Sequence, residues 1–214
     1  MISIMNESDF FTEVERACGP GVARDHALEQ GANLFLQGAA PLGLLRVMDG
    51  QIDLIRWTAS GQDVRIHTSH AGETFAEASL YASACHCDAV AAVRSRVRQI
   101  PKRKVLAAFA ADPSLGGRFA QHLAGSLMSA RRLLELRAIT PLTERLLTRL
   151  RDLADADGTV PDTRPLTALA TDLGVTAPAL YRAIADLETN GKLTRPARGR
   201  VALVTGTARP RPAP

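Results

Sequence analysis

Residues 166–193, LTALATDLGVTAPALYRAIADLETNGKL, hold two short amphipathic segments joined at Gly174-Val175. The spacing predicts a crossed helix pair. Ala170 is small where the helices meet, Gly174 supplies the turn, Val175 and Leu180 point inward, and Ile184 and Leu187 belong to the core. Thr176 can cap the second helix through its hydroxyl, and Pro178 is tolerated in that helix's first turn, where its missing N–H is not needed. The chain continues as KLTRPARGRVALV, which reads as a two-stranded wing with Arg195, Arg198 and Arg200 near its tip. Together these features predict a winged helix-turn-helix. The alternative, a helix pair closing a bundle without touching DNA, leaves the basic wing without a purpose.

Charge placement agrees with the first reading. From Thr176 onward Arg182, Lys192, Arg195, Arg198, Arg200, Arg209 and Arg211 face only Asp186 and Glu188, whereas the whole chain carries a net charge of +4. The rest is therefore close to neutral, and a basic region on a neutral body implies a polyanionic partner such as nucleic acid. On the second helix Thr176, Ala177, Ala179 and Arg182 lie on the exposed N-terminal side. Arg182 is the side chain there able to bond guanine O6 and N7 together; Tyr181 suits a phosphate contact. The closing TARPRPAP has no apolar partners to build a core and reads as a disordered tail.

Upstream the pattern stays helical as far as residue 102. LTERLLTRLRDLADA, opened by Pro141, carries Leu142, Leu146, Leu150 and Leu153 on one side. Before it, Phe119, Leu123, Leu127, Ala130 and Leu134 form one stripe of a helix from about Ser114 to Ile139. Such a helix is about 37 Å long, more than a small β domain can cover, so the stripe is expected to meet a second copy of the chain. Ahead of Pro101 the period changes to 2. Glycines 38, 50, 61 and 72 punctuate segments rich in Val, Ile, Leu and Trp, the spacing of short antiparallel strands. GQIDLIRWTASGQDVRIHT reads as a hairpin turning at Ser60-Gly61. Further strands are expected near Leu34-Phe35, Gly43–Met48 and Ala89–Ile100, giving a sandwich or jelly roll.

The chain of 214 residues suits two domains, and 46% hydrophobic with 22% charged residues is ordinary for a globular protein. Its apolar runs are too short to cross a bilayer, and MISIMNESDFFTEVER lacks the features of a signal peptide, so a cytoplasmic location is expected. Three cysteines make no disulfide framework.

A glycine-punctuated jelly roll, a long helix and a winged helix-turn-helix, in that order, resemble the cyclic-AMP receptor/fumarate-nitrate regulator (CRP/FNR) superfamily of bacterial transcription factors. LFLQGAA, MDGQIDLIRWTASGQDVRIHT, AGETFAEASLY and ALATDLGVTAPALYRAIADLETNGKL are similar to the family's motifs and stand in its order, over roughly residues 30 to 204. The resemblance implies an α+β fold. Its parts are a cyclic-nucleotide-binding-like jelly-roll domain over 1–110, a long dimerisation helix over 111–140, a winged helix-turn-helix over 141–205 and a tail over 206–214. It implies a homodimer on a near-palindromic operator, its two recognition helices about 34 Å apart, with RNA polymerase as a further partner. In cyclic-AMP-responsive members an arginine and a glutamate open the recognition helix. Here Ala177 and Pro178 stand there, so the operator should differ and Arg182 alone carries over.

The effector loop departs from the family as well. Gly72, Glu73 and Glu77 match its landmarks, yet His86 and Cys87 stand where cyclic-nucleotide binders carry the Arg-Ser pair that holds the phosphate. No arginine or lysine occurs between Arg65 and Arg94. A charge-assisted bond to a phosphate contributes about 1.5–3 kcal/mol, so tight cyclic AMP binding is not expected. Four cysteine ligands are needed for an iron-sulfur cluster, and three cysteines are too few. Cys85 and Cys87 would share one side of an extended segment, with His86 on the other. That leaves Cys85-His86-Cys87 open as part of a metal or haem sensor or a thiol-redox switch, beside the plainer reading of a site that has lost its ligand or takes an unknown one.

Other classes are weaker. There is no P-loop, no HExxH, no nucleophile elbow, and the histidines are scattered singly, so an enzyme is not expected. His26 and His122 read as solvated loop or helix residues. A regulatory module that binds protein instead of DNA would explain only the first half.

Overall fold

A computed structural model describes residues 7–58, 60–155, 158, 160, 166–195 and 201–204. The chain divides into two compact units, Met1–Leu127 and Met128–Pro214. That division falls inside the long helix, between the expected borders at 110 and 140.

The first unit opens with helix α1 (Glu7–Cys18). Eight strands follow: β1 (Arg24–Leu28), β2 (Asn33–Phe35), β3 (Gly43–Asp49), β4 (Gln51–Trp57), β5 (Asp63–His70), β6 (Thr74–Phe75), β7 (Asp88–Ala91) and β8 (Ser95–Pro101). A 3-10 turn, Glu77–Leu80, lies between β6 and β7. Two four-stranded sheets, β1-β8-β3-β6 and β2-β7-β4-β5, make the sandwich. Phe35, Leu45, Val47, Ile52, Leu54, Phe75, Cys85, Cys87, Ala89, Ala91 and Val97 form one core cluster in it. The hairpin stands where the sequence placed it, Gln51 opposite His70 and Trp57 opposite Asp63, with a bulge at Leu54/Ile55.

The extended stretch expected near Ala89–Ile100 is two strands, β7 and β8, in different sheets. Ser95, which opens the second, accepts from Gln51 N–H at 2.9 Å. Gly50 lies so close that a Cβ there would fall 2.5 Å from Arg94 O, and its φ is +85°; only glycine fits that crossing. β1 was not legible, because RDHAL has no alternation. It is held to β8 by its backbone ladder and by a bidentate Arg98–Asp25 pair (2.7 and 3.0 Å).

A second cluster gathers around helix α2 (Lys102–Ala111) and the start of α3 (Pro113–Ala138). Phe10, Phe11 and Val14 of α1 pack there against Leu80, Val105, Phe109, Leu115 and Phe119.

The second unit holds the end of α3, then α4 (Leu142–Leu153), α5 (Leu166–Leu173), α6 (Ala177–Thr189) and a two-stranded ribbon, β9 (Leu193–Thr194) with β10 (Ala202–Leu203). Leu146, Leu150, Leu173, Leu180 and Ile184 are fully buried, and Ala170 and Leu187 nearly so. This is the pattern read from 166–193. Among the described residues no helix is long and apolar enough to cross a membrane.

Candidate functional site

In the second unit the site is built on α6. Gly174 adopts φ +66° at the turn, Thr176 Oγ1 accepts from Ala179 N–H at 3.4 Å, and Pro178 sits within the first turn. Leu180, Ile184 and Leu187 bury one face. The opposite face presents Thr176, Tyr181 and Arg182, all exposed, with Ala177 and Ala179 half-buried beside them. Arg182 makes no ion pair or side-chain hydrogen bond among the described residues. Arg195 instead pairs with Glu188, Nε to carboxylate 2.9 Å. Arg198 and Arg200 lie outside the described residues.

On α3, Leu123, Leu127 and Leu134 are 36%, 52% and 65% exposed, and Ala130 is exposed with them. Phe119 corrects the expected stripe. It is 4% exposed, stacked with Phe10 and tilted against Phe109 in its own unit. The reason is angular: at 119 the helix shares a face with Leu115 and His122, the face laid against α1.

The effector-loop candidates do not form a common donor set. Gly72 (φ +89°) turns the chain between β5 and β6, its N–H donating to Val47 O at 2.8 Å. Glu73 Oε2 accepts from His70 N–H at 3.0 Å. Glu77 Oε1 lies 3.0 Å from His122 Nε2, and the His122 side chain is only 5% exposed. The imidazole stacks on Phe10, ring centroids 5.0 Å apart at 16°. His122, expected in solvent, is thus a buried link between α1, the loop and α3. His26, likewise expected in solvent, is half-buried in β1 with Nε2 2.7 Å from Gln99 Oε1. Removal of the His122 ring strips Glu77 of its partner and opens a cavity under Phe10. His122→Ala is expected to destabilise the first unit by about 2–4 kcal/mol, read from denaturant unfolding.

A cation does reach the loop, from outside it. Lys102 Nζ donates to Ala82 O at 2.7 Å and to Ser79 O at 3.5 Å, closing the end of the 3-10 turn. Spacing within the loop could not show this, because Lys102 arrives through β8.

His86 is exposed, whereas Cys85 and Cys87 are 4% and 2% exposed in the sandwich core. Burial raises both thiols, Cys87 to about 11, helped by Cys85 and Asp88 nearby. Both sulfurs lie among the apolar side chains of the sandwich core and pack there as small hydrophobes. Among the described residues no group of three or more His, Cys, Asp or Glu gathers to hold a metal ion. A thiol reagent at pH 8 is expected to modify half-buried Cys18 first, and Cys85 and Cys87 only once the protein unfolds. Fast reaction of all three in the native state would show that the loop opens.

Residues 25–112 match the family model of the cyclic nucleotide-binding domain. The fold is shared with FixK2 from Bradyrhizobium japonicum (19% identity, 85% of this chain and 92% of that chain, TM-score 0.64). It is shared with CprK in complex with OCPA (16%, 89% and 88%, 0.67). TTHA1359, a transcriptional regulator of the CRP/FNR family from Thermus thermophilus, also matches (21%, 85% and 93%, 0.52). No curated protein matches the chain.

Proposed function

We propose that this chain, which combines a cyclic nucleotide-binding domain with the fold of the CRP/FNR transcriptional regulators, is a homodimeric, sequence-specific DNA-binding regulator and not an enzyme. The observation that carries this reading is α6 itself. Its apolar face is sealed by the core of the second unit, while its N-terminal face offers an exposed Arg182, without a side-chain partner among the described residues, and an exposed Tyr181. A helix set in the major groove meets bases through that N-terminal face. The ribbon β9–β10 serves as the wing of a winged helix-turn-helix. Exposed Leu123, Leu127, Ala130 and Leu134 supply the seam between two copies, RNA polymerase is a further partner, and the cytoplasm is the place of action.

The first unit acts as a sensor domain without the phosphate-binding arginine. Lys102 is spent on loop carbonyls, so it is not a ready cation for an anionic cyclic nucleotide. The buried thiols speak against a metal or haem reading of Cys85-His86-Cys87.

Selection of bound duplexes from a random-sequence library, followed by titration at several salt concentrations, tests the DNA-binding reading. A near-palindromic consensus bound at least ~10³-fold more tightly than random duplex is the expected result. Equal affinity for all duplexes, or none, would leave the regulator reading without support.

A further inference from the structure

Helix ends leave carbonyls without intrahelical partners, and where α5 gives way to α6 several have identifiable donors. Gly174 N–H donates to Thr171 O and Val175 N–H to Ala170 O, both at 3.0 Å. This is the paired ending in which the glycine takes a left-handed conformation. Leu173 O, the last carbonyl of α5, is taken by another helix: Arg145 Nη1 of α4 donates to it at 2.8 Å. The same guanidinium donates from Nε to Ile139 O at 2.9 Å and from Nη2 to Thr140 O at 3.4 Å, just beyond the end of α3. One turn further along α4, Arg149 Nη2 holds the Asp172 carboxylate at 2.6 Å, with these side chains 14% and 16% exposed. One face of α4 therefore grips the last turn of α5, immediately before the turn that starts α6.

We propose that Arg145 is a positioning residue for DNA recognition, fixing the orientation of α6 through the α5 terminus without touching the duplex. The inference rests on the DNA-binding reading above. Apolar burial of Leu180, Ile184 and Leu187 keeps α6 on the core, but such contact is non-directional. Hydrogen bonds to carbonyls are directional, and a functional side chain must be held to about 0.5 Å to work. Loss of Arg145 therefore acts on base readout by Arg182, while non-specific binding, which depends on charge, changes little. Lysine is a poor substitute: it offers three donors at one point, where arginine spreads five over a planar fork.

The experiment compares unmutated protein, Arg145→Lys and Arg145→Gln, all as full chains, on the selected operator and on random duplex. Both variants should bind the operator ~10-fold more weakly, a difference of ~1.4 kcal/mol. Random-duplex affinity should stay within ~2-fold, and the salt slope should be unchanged. If Arg145→Lys melts below the assay temperature, Arg145→Gln is read by the same ratio. Parallel weakening on both duplexes, or an unchanged ratio, overturns the positioning role alone. Absence of any operator preference in the unmutated protein overturns the DNA-binding reading and this inference with it.

Discussion

Replacing Leu127 and Leu134 together by glutamate is expected to turn a dimer into a folded monomer and to weaken operator binding by at least ~10³-fold. Within its own chain both residues are more than half exposed, at 52% and 65%, and belong to no buried cluster, so the substitutions remove no intrachain core. Each leucine buried against a second copy contributes about 1.5–3 kcal/mol, and both copies lose two. The introduced carboxylates must also be desolvated next to each other across a two-fold seam, which costs more still. A monomer engages one half-site, so the contacts of the second half are lost together. Light scattering or sedimentation gives the oligomeric state, and titration on the operator gives the affinity. A variant that remains dimeric would place the seam elsewhere. Phe119→Glu should behave differently: that ring is buried among Phe10 and Phe109, so the first unit should unfold instead of the dimer separating.

Arg182→Ala is expected to abolish discrimination at one base pair in each half-site while leaving the fold intact. Arg182 is exposed and is not one of the buried residues of the α6 core, so thermal stability should hardly move. A bidentate arginine–guanine contact is worth about 1–3 kcal/mol of discrimination. Two half-sites together then lose about 2–6 kcal/mol, or roughly 30-fold to 10⁴-fold in operator affinity. Random-duplex affinity and the salt slope should change far less, because base readout is not counterion release. Uniform weakening across all sequences, with a shallower salt slope, would assign Arg182 to phosphate instead.

Much of the α6 site was legible because it is local. A cap, a turn glycine and the apolar positions of a helix pair lie within 28 consecutive residues, and each has its own physical signature at fixed spacing. The hairpin was legible for the same reason, with Ser60-Gly61 joining two alternating runs. Alternation there was not strict: Asp53, on the face opposite Ile52 and Leu54, is also buried and accepts from Thr68 Oγ1 at 2.8 Å. A sandwich strand can bury both sides of its pattern when a polar residue finds a partner across the hairpin.

Four things are written along the chain: the order of parts, the periods of 2 and 3.6 that separate the sheet from the helices, the basic bias of the C-terminal region and the sidedness of Cys85 and Cys87. These follow from backbone geometry and composition, which act between near neighbours. Folding in three dimensions was needed to turn Phe119 inward, to bring His122 to Glu77 across 45 positions, to carry Lys102 to Ser79 and Ala82, and to set Arg145 at the end of α5. Each of these depends on a partner distant in sequence. A side chain's role is set by what the fold brings within about 3 Å of it, and spacing along the chain carries no record of that.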